Sequence, residues 1–252
     1  MLYRLTEFLP ASILVIMAKV TGKSRLTAIE RRVQGEFIAG LLLDRESGQK
    51  TSQPKIVAMV GSIGSGKSSV AQALAKELPA VVVEGDAIRV LLRKAGVGYD
   101  RVWEIGRQAA MAAVKSGKYV VIDGDASPAE QRKILIETAK RANAEVIFVR
   151  AVCRDLDVLI ERIFTTPYPE DSFFGGAGTT AKGSADQRGA VVKMREFISL
   201  LRRHYRPEKT KYPGRDNWMP KKMSFVGYEV DTTDEKAWPI EVKRISKQIK
   251  LR

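Results

Sequence analysis

Eight consecutive residues constrain this chain more than any others. Gly61, Ser62, Ile63, Gly64, Ser65, Gly66, Lys67 and Ser68 fill the pattern G-x-x-x-x-G-K-[ST] without deviation. An apolar run at 55–60 leads straight into them, and a run of helical composition at 68–78 leaves them. A strand, a glycine-rich turn and a helix in that order form a phosphate cradle. Glycines accept positive φ and let the backbone approach an anion closely. Successive N–H groups then converge at a helix N-terminus, where the dipole favours negative charge. In that arrangement residues 61–69, Ser69 included, hold a nucleoside triphosphate. Lys67 bridges its β- and γ-oxygens and the Ser68 hydroxyl ligates Mg²⁺.

The chain beyond the cradle repeats the strand–helix alternation. Apolar runs at 80–86, 118–125, 144–152 and 227–233 read as strands. Helical patterns lie between them, and a final helix reaches about residue 250. One of these helices, 127–142, carries Ser127 as N-cap, Pro128 at its first position and Glu130 at N3. Apolar strands without alternation, separated by helices, predict an α/β fold whose parallel sheet is covered on both faces.

In such a sheet ligands lie beyond the carboxyl ends of the strands. The second strand ends in Asp86, with Arg89 one turn on, and the third ends in Asp123 and Asp125. An acid beside the terminal phosphate can orient and deprotonate a hydroxyl, and another can hold Mg²⁺. Asp86 is the expected base and Asp123 the expected magnesium partner. Arg89 is expected to clamp an anionic acceptor or the transferring group. The simpler role for each acid, Asp125 above all, is a turn or helix-cap residue.

Charge adds a second signal. The net charge is +14, which fits anionic partners. Between Arg188 and Lys222 basic residues outnumber acids by eight, with Tyr205, Tyr212 and Trp218 among them. Two readings stay open: a solvated helix closing over phosphates, or a surface on which single-stranded nucleic acid stacks. The single cysteine, Cys153, excludes an intrachain disulfide and reads as a buried thiol. One histidine, His204, cannot build a histidine metal site by itself. This composition fits a reducing cytoplasm.

Residues 24–44 read as an amphipathic helix with Leu26, Ile29, Val33, Phe37 and Leu41 on its apolar face. A polar, turn-rich stretch at 44–54 then places a boundary near residue 52. The expected organisation is an N-terminal helical extension, 1–52, and a P-loop domain, 53–252, with a lid around 163–222. The apolar stretch 9–20 is too short to span a bilayer. It lacks a basic start and a cleavage pattern, and reads as a packed helix or a peripheral anchor. The stretch 173–189, rich in Gly, Ser and Thr, reads as a mobile loop or lid.

Together these residues resemble the P-loop kinase-like ATPases. The segment "EGDAIRVLLRKAGVGYDRVWEIGR" is similar to the D-G-D-x-x-R region of adenylylsulfate kinases, gluconate kinases and zeta-toxin-like kinases, and "VVIDGDASPAEQRK" to their third strand and following helix. The resemblance covers 54–165 and, more loosely, 225–250. It implies a five-stranded sheet in the order 2-3-1-4-5, ATP with Mg²⁺, and transfer of the γ-phosphoryl group to a hydroxyl acceptor. It also implies a lid bearing arginines. Arg162 is the first choice for the catalytic one, with Arg188, Arg195, Arg202 and Arg203 in or after the lid. "DASPAEQR" departs from the adenylylsulfate kinase pattern, so the resemblance names no acceptor. A polynucleotide 5′-hydroxyl kinase, a toxin-type kinase of a nucleotide sugar and a non-catalytic ATP switch remain alternatives.

Overall fold

The structure, a computed structural model, describes residues 26–43, 51–176, 189–208 and 217–251. At its centre is strand β1 (Lys55–Val60), buried along its whole length. β2 (Val81–Glu84) and β3 (Val120–Asp123) lie to one side, with Val81 opposite Val120 and Ile56 of β1 opposite Val120. β4 (Glu145–Val152) pairs on the other side, Lys55 opposite Glu145. The edge beyond it is β7 (Tyr228–Asp231), Val149 opposite Tyr228. All pairs are parallel and the order is β2-β3-β1-β4-β7, which is the expected topology. The last strand of the sheet is the seventh of the described chain. β5 (Tyr205–Glu208) and β6 (Asn217–Pro220) intervene as a separate antiparallel ribbon. That ribbon was not expected, because short charged strands that include Pro207 and Pro220 carry turn signals.

Period-two alternation divides the core. Ile56, Ala58 and Val60 face helices α1 (Ala28–Leu43), α3 (Gly85–Lys94), α4 (Val102–Lys115) and α5 (Ala129–Arg141). Val57 and Met59 face α2 (Lys67–Glu77) and α8 (Trp238–Leu251). Each Val, Ile or Met side chain so removed from water contributes about 1.5–3 kcal/mol. A third, smaller cluster sits under the lid. There Cys153 of the β4 end meets Leu159 and Ile163 of α6 (Leu156–Thr165), Phe197 of α7 (Gly189–His204), and Tyr205.

Helix α1 shares the first of these cores through Val33 and Ile38, and Leu26, just before the helix, joins them. Its apolar face differs from the expected one: Ile29 is 42% exposed, and Gln34 turns inward to donate to Gln108. At about 100° per residue, a stripe centred between Phe37 and Leu41 leaves Ile29 at its edge. Two boundaries also differ. Gly85 and Asp86 open α3 rather than end β2. α5 begins at Ala129, and the Ser127 hydroxyl binds the Asp125 carboxylate instead of capping the helix. The glycine-rich stretch starts in order, too: Phe173 is buried, edge-on to Tyr99, and Arg93 donates to the Ser172 and Phe173 carbonyls. The expectations for 9–20, for the linker core 44–50 and for 177–188 lie outside the described residues. Among the described residues no helix is long and apolar enough to cross a membrane.

Candidate functional site

The cradle occupies the turn from β1 into α2, and its backbone explains its sequence. Gly61 sits at φ +152°, where a Cβ would overlap the Ala151 carbonyl oxygen. Gly66 sits at φ +77°, the left-handed N-cap of α2, where a Cβ would come within 3.2 Å of Thr232. No side chain caps this helix, so its first-turn N–H groups are left for a ligand. The turn is braced from within. The Ser65 hydroxyl and the Lys67 ammonium each donate to the Ser62 carbonyl at 2.8 Å, and Thr232 donates to the Ser65 carbonyl at 2.9 Å.

A cleft of about 720 Å³ opens above this turn. Of the expected phosphate-binding residues, Ile63, Gly64, Gly66, Lys67, Ser68 and Ser69 line it. Gly61, Ser62 and Ser65 lie beneath, with both serines buried. Asp86, Arg89, Asp123 and Arg162 also line it, so the structure gathers all four around the cradle.

Their environments differ. The Ser68 hydroxyl hydrogen-bonds to Asp123; burial pushes the Asp123 carboxyl up, while Ser68 and Lys67 oppose the rise. Burial pushes the Lys67 ammonium down, against Asp123, Asp125 and Asp86. Glu84 is raised by burial and by the neighbouring Asp123 and Asp86. Asp86 holds Arg89 in a 2.9 Å ion pair one helical turn apart. Arg162 donates at 2.6 Å to the Thr232 carbonyl and at 3.3 Å to its hydroxyl, with Glu235 at 3.9 Å. These residues fit ATP and Mg²⁺: an uncapped helix end, glycines where a Cβ would fill the turn, and a hydroxyl–carboxylate pair beside them.

Asp125 is a turn residue, as its simpler reading had it, and also a junction. Its Oδ1 accepts from Gly61 N–H at 3.4 Å and Ser127 N–H at 3.2 Å. Its Oδ2 faces the Ser127 hydroxyl at 2.7 Å, His204 Nε2 at 3.1 Å and Arg203 at 3.5 Å. Burial alone would raise its carboxyl; His204, Ser127 and Lys67 outweigh that and hold it well below the usual carboxylate range. The first glycine of the cradle is thus joined, through one side chain, to the C-terminal end of α7. Arg150 secures the same end from the core: it is 2% exposed and donates to the His204 and Lys221 carbonyls at 3.1 and 2.6 Å.

The lid differs from the arginine-bearing expectation. Helix α7 presents Lys193, Glu196 and Leu200 to the cleft, a stripe at i, i+3 and i+7. Arg195, Arg202 and Arg203 are exposed and do not line it, and Arg188 lies outside the described residues. That stripe is visible in the sequence only once the helix has been delimited. Burial lowers the Lys193 ammonium and raises the Glu196 carboxyl. Thr232, Glu235, Trp238 and Phe174 also line the cleft and were likewise missed. Of the aromatics expected to stack on bases, Tyr205 is buried and donates to the Cys153 carbonyl at 2.9 Å, Trp218 packs on the small third core, and Tyr212 lies outside the described residues. Cys153 is buried, as expected.

Residues 56–166 match the family model described as an AAA domain. The chain is 26% identical over 175 residues to the mouse (Mus musculus) 6-phosphofructo-2-kinase/fructose-2,6-bisphosphatase 1, a match covering 58% of this chain and 36% of that protein. It therefore spans about a third of that relative's length. Among solved structures, APE1195 superposes with a TM-score of 0.53 at 15% identity, covering 81% of this chain and 98% of the other. The Mycobacterium tuberculosis APS kinase CysC, in complex with AMPPNP and APS, gives 0.46 at 18%, covering 79% and 96%. At these identities the likeness is one of fold: a P-loop NTPase core with five parallel strands in the order that the sequence resemblance implied.

Proposed function

We propose that this protein is an ATP-dependent phosphotransferase that moves the γ-phosphoryl group of ATP to a hydroxyl of a small molecule or nucleotide. The observation that carries the reading is one cleft lined both by a phosphate cradle and by Asp86, oriented by Arg89. A cradle alone binds nucleotide; a carboxylate in the same cleft can take the proton of an acceptor hydroxyl.

Gly64, Gly66 and the N-terminal amides of α2 bind the phosphates, and Lys67 bridges the β- and γ-oxygens. Ser68 and Asp123 are the residues that would hold Mg²⁺, which supplies charge neutralisation on those oxygens when bound. Asp86 accepts the proton of the acceptor hydroxyl as that oxygen bonds to the γ-phosphorus. The bond from phosphorus to the β–γ bridging oxygen breaks, and ADP leaves. Arg162, held by Thr232, supplies positive charge beside the transferring group. Helix α7 roofs the cleft and excludes water that would otherwise take the phosphoryl group.

The test is transfer of label from γ-labelled ATP with Mg²⁺, with and without a pooled metabolite extract. Label in a new compound is the expected result. Asp86→Asn should keep Mg-ATP binding, measured by calorimetry, while transfer falls about 10²–10⁴-fold. Free phosphate alone, unchanged by the extract or by Asp86→Asn, would overturn the reading in favour of an ATP-driven switch.

A further inference from the structure

Contacts among the residues of the cleft join them into two groups. Arg162 holds Thr232 and Glu235; Asp86 holds Arg89, which is linked through the Phe173 and Phe174 rings to Lys193. The second group has two cations, and they stand in different positions. Arg89 already has a counter-charge. It is paired with Asp86 at 2.9 Å, and its guanidinium carbon lies 5.2 Å from the centre of the Phe173 ring. Its Nη1 serves Asp86, which leaves its remaining N–H donors for the anion-clamping role expected of Arg89 from the sequence.

Lys193 is placed differently. Its ammonium lies 5.1 Å from the centre of the Tyr168 ring and 5.2 Å from that of Phe174. Among the described residues, no carboxylate lies within ion-pairing distance of it. Glu196, on the same face of α7, is influenced by Arg89 instead. Taking an ammonium out of water without a counter-charge is unfavourable, and aromatic faces offset only part of the cost. A bound anion would complete the arrangement. In the phosphotransferase reading the γ-phosphoryl group is already met by Lys67, Ser68 and the N-terminus of α2. The Phe173 ring beside Arg89 packs edge-on to Phe174 with ring centres 4.9 Å apart, and Lys193 stands against Phe174, which joins the lysine to the Asp86–Arg89 pair.

We propose, building on the phosphotransferase reading above, that the acceptor carries an anionic group in addition to its hydroxyl, and that Lys193 of the lid is the residue that reads it. The anion is a phosphate, carboxylate or sulfate. With it on Lys193, the acceptor's hydroxyl faces Asp86 across the cleft, and Phe174 and Leu200 cover its apolar surface.

The probes are matched compounds with and without one anionic group: ribose and ribose 5-phosphate, glucose and gluconate, glycerol and glycerol 3-phosphate, adenosine and AMP. Each is offered with γ-labelled ATP and Mg²⁺ to the wild-type protein, Lys193→Met and Lys193→Arg, and Mg-ATP binding is measured separately by calorimetry. Label should enter anionic members and not their neutral partners. Lys193→Met should raise the KM for the accepted compound about thirtyfold, as for loss of one charge-assisted contact. The KM for ATP should change less than about twofold, and Lys193→Arg should restore part of the loss. Equal labelling of neutral and anionic partners overturns the proposal. So does a Lys193→Met variant whose defect falls on the KM for ATP, or a wild-type protein that binds Mg-ATP and labels no member of the set. Failure to bind Mg-ATP at all would instead strike the phosphotransferase reading beneath it.

Discussion

The floor and the roof of the cleft are built from different materials. The floor is backbone: a turn with glycines at φ +152° and +77°, and the uncapped first turn of α2. Its chemistry follows from conformation, so few side chains fit it. The roof is side chains: Lys193, Glu196 and Leu200 on one stripe of α7. Any helix of that length could carry other residues there without losing its shape. The floor is therefore general for phosphate, and the roof is where a preference among acceptors can reside. The two meet at Asp125, which touches Gly61 on one side and His204 on the other.

Substitutions can break this comparison or sharpen it. The largest effect belongs to the floor. Lys67→Ala should lower turnover about 10²–10³-fold, the loss expected for one preorganised donor; turnover near wild type in a label-transfer assay would mean the floor is not the chemical site. The joint comes next. Asp125→Asn weakens the contacts to His204 and Arg203, and should cost about 1–3 kcal/mol in denaturant unfolding. If floor and roof communicate through it, the KM for ATP should rise as well; a stability loss with unchanged KM would leave them independent.

The roof gives smaller, signed effects. Folding raises the Glu196 carboxyl by burial, so the ionised form is disfavoured in the folded state. At neutral pH this subtracts from stability, and the penalty fades as pH falls through the carboxylate range toward about 4. Glu196→Gln should thus melt slightly higher than wild type at pH 7, with the difference vanishing near pH 4; the reverse trend would mean Glu196 is held by a favourable partner. Smallest is the outer surface of the same helix. Val191 and Ile198 are 66% and 63% exposed, and Ile198→Ser should stay within about 0.5 kcal/mol of wild type. A larger loss would show that the outward face of α7 is packed against something.

The same contrast decides what could be read in the sequence. The floor is eight adjacent residues whose order dictates their conformation, so it was legible without the fold. Asp86 and Asp123 were legible because strand ends in a parallel sheet converge. Lys193 was not, since nothing near it marks which face of α7 turns inward. The link between Asp125 and His204 joins residues 79 positions apart; the lone histidine says nothing until β3 and the end of α7 are brought together. The ribbon β5–β6 hid behind its prolines and charges, although its first residue, Tyr205, is among the most deeply buried large side chains.

Helix α7 is fastened unevenly, and this gives it the mechanics of a lever. Its C-terminal end is tied by His204 to Asp125 and by Arg150 to the His204 carbonyl, with Tyr205 anchored to the Cys153 carbonyl just beyond. At the other end the ties include a hydrogen bond from Gly189 N–H to the Phe174 carbonyl and the Lys193 ammonium against the Tyr168 and Phe174 rings. Lys193 lies eleven residues from the fulcrum, an arm of about 16 Å at 1.5 Å per residue, so a rotation of about 10° moves it about 3 Å. That is the difference between a made and an unmade hydrogen bond. With Lys193 reading the acceptor as proposed, a swing of that size would open and close its grip.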